Sequence, residues 1–200
     1  KARREDHPYD CGFKVSKYGA QDSTDYWDPD CGNGWHNGVQ LTGNNPTDTS
    51  VAITSSFVTA WINHLKGNYG TAANGGVMFY NLDNEPMLWN STHYDVHPNP
   101  VTYDEMRDKT YAYAAAIKAA DSSAQTLGPV EWGWCAYFYS AADGCYPGAD
   151  RAAHGNMDFV PWYLQQMKAY EQAHGVRILD YLDLHVYPQV DGVYSDSLGS

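Results

Sequence analysis

The fold is decided by one stretch, Val-Met-Phe-Tyr-Asn-Leu-Asp-Asn-Glu-Pro at residues 77–86. Two glycines precede it, and it is mainly apolar up to Leu82 before it becomes polar. Pro86 marks its end, because proline donates no ladder hydrogen bond. These features predict a buried strand that carries Glu85 at its carboxyl end, rigidly held and partly desolvated. Such a carboxylate is suited to protonating a leaving group, although Asn-Glu-Pro alone fits equally well with a loop carboxylate that caps a neighbouring helix.

Predicted helices and strands alternate around this stretch. Apolar residues spaced three and four apart predict the helices, and Thr102 with Glu105 forms a capping box at the start of the second one. The remaining apolar runs are short and continuous, which is typical of parallel strands joined by crossover helices. In chain order, we predict a helix at 54–65, a strand at 77–83, a helix at 103–120, a strand at 126–132, a helix at 159–173 and a strand at 178–187.

Polar and aromatic side chains follow each predicted strand. They are Asn84 and Glu85, then Glu131, Trp132 and Trp134, then His185 and Tyr187. In an α/β fold of the (β/α)8 TIM barrel type, the chemistry lies at the carboxyl ends of several strands. We therefore predict such a barrel with a site at these strand ends. A doubly wound nucleotide-binding sheet is disfavoured, since the sequence has neither of the usual glycine-rich phosphate turns.

Length and composition narrow the class of protein. Two hundred residues are enough for one sizeable core, so we predict a single domain over residues 1–200. The formal charge of −12 argues against nucleic acid or an anionic membrane as partner, and no segment approaches the ~20 apolar residues of a membrane span. The 17 Tyr and 7 Trp against 5 Phe suit a surface that binds sugars, and a tyrosine-rich secreted protein would show the same composition.

Four cysteines form two local pairs, and none has the spacing of a zinc site. Proximity favours the disulfides Cys11–Cys31 and Cys135–Cys145, which would fit an exported, extracellular protein. Three pairings are open to four cysteines, and the sequence shows no signal peptide, so export is inferred from the cysteines alone.

Acidic residues crowd the region from 22 to 33. Asp25, Asp28 and Asp30 carry oxygen ligands at a density that could hold a structural calcium ion. The spacing is not that of an EF-hand, and an acidic loop that is simply solvated is the alternative. We expect no other cofactor.

The strand ends resemble those of glycoside hydrolase family 44. The resemblance rests on Leu-Asp-Asn-Glu-Pro at 82–86, Leu-Gly-Pro-Val-Glu-Trp-Gly-Trp at 127–134 and Leu-Asp-Leu-His-Val-Tyr-Pro at 182–188. Shorter matches at 15–19 and in the region of residues 32–44 extend it over nearly the whole chain. Members of that family are endo-β-1,4-glucanases and xyloglucanases with a β/α barrel and a retaining mechanism.

The resemblance implies roles for the strand-end residues. Glu85 matches the general acid/base on the fourth barrel strand, and Asn84 matches the residue that binds the sugar 2-hydroxyl. The nucleophilic glutamate of the family would lie on the seventh strand, beyond residue 200. The chain thus resembles an internal part of the barrel, about strands four to six with a long preceding loop.

The other strand-end residues are expected to line the substrate cleft. His185 and Tyr187 would lie beside it, with backbone hydrogen bonding as the alternative role for the histidine. Trp134 is expected to contact sugar, and Trp132 would share its face if the strand continued. Glu131 is expected to orient Glu85 or to contact substrate, and a structural glutamate with its hydrogen bonds satisfied is equally compatible.

Two functions follow for the sequence. The first is a retaining endo-acting hydrolase of β-1,4-glucan, such as cellulose or xyloglucan, that works as a monomer in its full-length form. The second is a non-catalytic carbohydrate-binding fragment, because the second carboxylate is missing. A related enzyme acting on mannan or xylan differs only in subsite contacts.

Overall fold

The computed structural model describes residues 2–6 and 9–187. The chain divides into two compact units, one made of Lys1–Phe57 and Trp89–Asn99, the other of Val58–Leu88 and Pro100–Ser200. The single barrel domain expected over residues 1–200 stays a prediction. None of the helices in the described part of the chain has the length and apolar character that a membrane crossing requires.

The described residues form short strands and helices in the first fifty residues and longer elements after them. In chain order these are β1 (Ala2–Arg3), α1 (Val15–Tyr18), β2 (Trp35–His36), β3 (Val39–Gln40), β4 (Ser50–Val51), α2 (Ser55–Tyr69), β5 (Phe79–Asn81), α3 (Trp89–Thr92), α4 (Tyr103–Ala120), β6 (Gln125–Glu131), α5 (Trp134–Phe138), α6 (Ala149–Ala153), α7 (Phe159–His174) and β7 (Tyr181–Leu184).

The first unit is built from turns around one buried ring. Strands β1 and β4 pair antiparallel, and β2 and β3 form a second antiparallel pair. Phe13 is buried and packs against the rings of Tyr18 and Tyr94. Cys11 and Cys31 form a disulfide bond, and Cys135 and Cys145 form another in the second unit. Both expected pairings are therefore confirmed.

A parallel three-stranded sheet organises the second unit. Its order is β5–β6–β7, with Tyr80 opposite Thr126 and Leu127 opposite Tyr181. Helix α4 connects β5 to β6, and α7 lies between β6 and β7 in the chain, as the alternating pattern predicted. The parallel sheet with helical crossovers is confirmed, and all three carboxyl ends lie at one edge.

Burial alternates along β5 instead of being continuous. Tyr80 packs with Ile62 of α2 and Ile117 of α4 in a buried cluster. On the other face Phe79 is 53% exposed and Tyr181 is 47% exposed, and their rings meet edge to face. The prediction of a strand buried on both faces was wrong for β5, because helices cover only the face that carries Tyr80, whereas the end of β6 is buried at each position from Gly128 to Glu131.

Local sequence signals set the boundaries of α4 and α7, whereas α2 extends beyond the predicted helix at 54–65. Helix α4 begins after Thr102, whose hydroxyl accepts a hydrogen bond from the backbone N–H of Glu105, as the capping box predicted. Helix α7 ends at Gly175, which adopts a left-handed conformation. Helix α2 continues through Gly67 to Tyr69 and ends before Gly70, the glycine that has a positive φ of 84°.

Candidate active site

Glu85 lies in a tight turn after β5 that is anchored to the neighbouring strand. Its backbone N–H donates to the carbonyl of Val130 at 2.9 Å. Glu85 has a φ of 47° and Val130 a φ of 63°, both in the left-handed region that non-glycine residues rarely adopt. The backbone is therefore strained on both sides of the contact that fixes the position of Glu85.

Two side chains from the end of β7 bind the Glu85 carboxyl group. His185 Nδ1 lies 2.6 Å from Glu85 Oε1, and the Tyr187 hydroxyl donates to the same oxygen at 3.2 Å. The backbone N–H of His185 donates to the carbonyl of Glu131 at 2.8 Å. Residues 100 positions apart in the chain are thus brought into direct contact.

Glu131 lies at the end of β6 and has a different environment. Its side chain is 0% exposed, so it does not reach a surface where substrate could lie. Burial, and to a smaller extent the neighbouring Glu85 carboxylate, raises the pKa of Glu131 well above its ordinary value. The expected contact between Glu131 and substrate does not fit this burial. Neither carboxyl oxygen has a hydrogen bond of standard geometry among the described residues, although the backbone amides of Met87 and Trp132 act on the group.

The aromatic residues after β6 lie on a helix. Strand β6 ends at Glu131 and α5 begins at Trp134, so Trp132 and Trp134 do not share a strand face. Trp134 is 69% exposed and packs against the rings of Tyr137 and Phe138. The Tyr137 hydroxyl donates to the backbone carbonyl of His185. This hydrogen bond connects helix α5, which carries the exposed Trp134, to the histidine that binds Glu85.

Asn84 and Trp132 lie next to the residues already described. Asn84 is exposed, and its backbone N–H donates to Asp83 Oδ1 at 2.8 Å. Trp132 is partly buried after Glu131. Pro188, the last residue of the third motif, lies outside the described residues.

Sequence reasoning missed two contributors to this site. Val130 supplies the carbonyl that anchors Glu85, at a point where the pairing of β6 with β7 shifts between Pro129 and Glu131. Tyr137 supports His185 from α5. No sequence signal identifies a β-branched residue with a positive φ, or a tyrosine that binds the backbone of a distant strand end.

The expected calcium ligands do not converge. Asp25 accepts hydrogen bonds from the backbone of Trp27 and Asp28, and Asp30 accepts from the backbone and hydroxyl of Ser16. These carboxylates thus stabilise turns. Over residues 2–6 and 9–187, no three acidic, histidine or cysteine side chains are placed to hold a metal ion, and the calcium site at Asp25, Asp28 and Asp30 stays a prediction.

The sequence is similar to those of known proteins. The sequence profile of "Glycoside hydrolase family 44" matches residues 2–190. A "Beta-mannanase/endoglucanase A" from Caldicellulosiruptor saccharolyticus is 41% identical over 137 residues, which are 68% of this chain and 10% of that protein.

Solved structures resemble the chain as well. The crystal structure of CelM2, a bifunctional glucanase-xylanase from a metagenome library, has a TM-score of 0.86 at 46% identity, covering 90% of this chain and 36% of that one. A Paenibacillus polymyxa xyloglucanase from family 44, solved with xyloglucan, has a TM-score of 0.60 at 39% identity, covering 66% of this chain and 25% of that one. The chain spans only a tenth to about a third of the length of these proteins. With a profile match over almost its whole length, the chain belongs to glycoside hydrolase family 44.

Proposed function

We propose that this chain is part of a retaining endo-acting hydrolase of β-1,4-linked glucan, in which Glu85 is the general acid/base. The proposal is carried by the Glu85 carboxyl group, which is held by His185 and Tyr187 at the carboxyl ends of parallel strands. It is further supported by family membership and by relatives that are named glucanases.

Glu85 would act twice in a double displacement. It first gives its proton to the glycosidic oxygen of the leaving sugar, and it then removes a proton from the attacking water. His185 and Tyr187 keep the reacting oxygen in place through both steps. Asn84 would bind the sugar 2-hydroxyl, and Trp134 would stack on a sugar ring further along the cleft.

The nucleophile must be a second carboxylate, ~5–5.5 Å from the first in retaining enzymes. Glu131 is on the neighbouring strand but is sealed from the surface, so it cannot attack an anomeric carbon. We propose that the nucleophile is a glutamate outside residues 1–200. Strands β5, β6 and β7 would then be the fourth, fifth and sixth strands of a TIM barrel.

The names of the relatives limit the substrate to a few polysaccharides but do not select one of them. Relatives carry the names mannanase, endoglucanase, xylanase and xyloglucanase. We propose cellulose or xyloglucan as the substrate, with mannan and xylan as the alternatives that a substrate panel would separate. Two disulfide bonds support a secreted protein, and we propose that the full-length enzyme is a monomer.

The test is Glu85→Gln in the full-length protein. Hydrolysis of carboxymethylcellulose or xyloglucan should fall by about 10²–10⁴-fold, because the leaving oxygen loses its proton donor. Formation of the glycosyl-enzyme from an aryl cellobioside with an acidic phenol should fall much less, since that leaving group needs no proton. The control is Glu171→Gln on α7, a glutamate paired with Lys168 and Arg177, which should leave both rates unchanged. Undiminished glucan hydrolysis by Glu85→Gln would rule out the assignment.

Binding without cleavage is the second candidate for the 200-residue chain by itself. It is supported by the exposed Trp134 beside a site whose neighbouring carboxylate is buried. Calorimetric titration of cellohexaose into the isolated chain should give a binding heat without new reducing ends. Release of products would favour catalysis by this chain alone, and no heat would exclude a binding module.

A further inference from the structure

The end of β6 holds both partners of the Glu85–His185 pair through its backbone. The carbonyl of Val130 accepts from the N–H of Glu85, and the next carbonyl, that of Glu131, accepts from the N–H of His185. Two consecutive carbonyls therefore fix the turn after β5 and the end of β7. The side chain between these two contacts is that of Glu131.

The carboxyl group of Glu131 is enclosed without a counter-charge. It is fully buried and faces the backbone amides of Met87 and Trp132 without a hydrogen bond of standard geometry. Among the described residues, the charged side chain that acts on it is another carboxylate, Glu85. The buried hydroxyl of Tyr163 on α7 bonds to Thr110, and its pKa is raised by burial and, to a smaller extent, by the charge of Glu131.

Such surroundings select the uncharged form of a carboxyl group. A buried carboxylate with neither a cation nor hydrogen bonds is strongly unfavourable, and a like charge beside it adds to the cost. Glu131 therefore keeps its proton, and its burial is compatible with folding.

The turn that follows Glu85 has backbone amides that require a hydrogen-bond acceptor from outside the turn. Residues Pro86–Leu88 form a 3-10 turn directly after Glu85, and the first amides of such a turn have no partner within it. The Met87 amide is one of these, and it points at the Glu131 carboxyl group. A carbonyl oxygen at this place stabilises the turn that holds Glu85 at a φ of 47°.

We propose that Glu131 is a positioning residue for Glu85, an uncharged carboxylic acid that supports the Met87 amide and keeps the Glu85 carboxyl group aligned with the leaving oxygen. Glu131 does not touch substrate. The inference rests on the proposed function, because alignment matters only if Glu85 transfers a proton.

The experiment compares Glu131→Leu with Glu131→Gln in the full-length protein, using two substrates. Leucine fills similar space but accepts no hydrogen bond, so Glu85 loses its alignment and kcat on β-glucan should fall by up to about 100-fold. Formation of the glycosyl-enzyme from an aryl cellobioside with an acidic phenol, which needs no proton donor, should fall far less. Glutamine keeps a carbonyl oxygen and cannot ionise, so it should restore most of the rate on glucan.

The outcomes separate this inference from the proposed function. Equal losses on both substrates would indicate a purely structural role, and a glutamine variant as slow as the leucine variant would show that the charged form is needed. Either result, or a leucine variant with unchanged glucan hydrolysis, overturns the inference. If Glu85→Gln itself shows no preferential loss on glucan, the proposed function fails and the inference fails with it.

Discussion

At the scale of single residues, two glutamates at neighbouring strand ends have opposite environments. Glu85 is partly exposed and is held by a histidine and a tyrosine, whereas Glu131 is enclosed beneath it. Paired carboxyl groups whose surroundings separate their protonation are typical of acid–base sites. Here the burial of Glu131 raises its pKa.

The buried glutamate should make stability depend on pH. Because the pKa of Glu131 is raised in the folded protein above its ordinary value of 4.5, folding favours the protonated form. The contribution of protonated Glu131 to the free energy of unfolding is fully present below pH 4.5 and is lost as the pH rises through the pKa of Glu131 in the folded protein. We therefore expect the Tm of Glu131→Gln to rise relative to the unmodified protein as the pH increases from 4.5 towards 8 in a scanning-calorimetry series.

The control for this series is Glu171→Gln, whose carboxylate has its pKa lowered by Lys168 and Arg177. It should show no such rise over the same range. A constant Tm difference between Glu131→Gln and the unmodified protein would mean that Glu131 is as easily ionised when folded as when unfolded.

At the scale of elements, α4 shows how local signals fix a boundary. Thr102 accepts from the Glu105 amide, and Asp104 and Glu105 place acidic side chains in the first turn, where they complement the helix dipole. Its inner face buries Met106 and Ile117 against the rest of the second unit. The N-terminal boundary of α4 is therefore set by its capping residue, and its packing is set by the apolar residues on its inner face.

Removal of this cap should cost stability without affecting the site. Thr102→Ala leaves the Glu105 amide without its acceptor, and we expect a loss of about 1 kcal/mol in the free energy of unfolding by urea. Thr102→Ser keeps a hydroxyl and should recover most of that loss. If alanine and serine variants unfold at the same urea concentration as the unmodified protein, the hydroxyl does not cap α4.

At the scale of the whole molecule, one face of the parallel sheet is partly open to solvent at β5 and β7. Phe79 and Tyr181 are half-exposed there, and β5 pairs on one side only within the described residues. Exposed apolar faces and unpaired strand edges favour association between copies. The net charge of −12 opposes association by mutual repulsion.

The isolated 200-residue chain should therefore associate more readily as salt is added. Salt shortens the range of the repulsion, with a Debye length of about 10 Å at 0.1 M, but does not remove the apolar contact. Light scattering on a sizing column should show a growing oligomer fraction, and Phe79→Thr, which keeps a strand-forming residue, should reduce it. A monomer at all salt concentrations would mean that this face does not mediate association.

The sequence by itself determined the main helices and strands of the second unit and their order. Caps, glycines and apolar spacing act over a few residues, so the start of α4, the end of α7 and the parallel sheet could be predicted from local patterns. The carboxyl ends of β5, β6 and β7 could be named for the same reason, because polar residues follow each apolar run.

Only the tertiary structure decided which of those residues contact one another and which are buried. Glu85 and His185 are brought together by consecutive carbonyls at a shift in the pairing of β6, and Glu131 is buried by the turn above it. Trp134 lies on helix α5 rather than on strand β6, and one face of the sheet is partly exposed to solvent at β5 and β7. Strand register, a positive φ at Val130 and helix cover are non-local properties, so no short stretch of sequence encodes them.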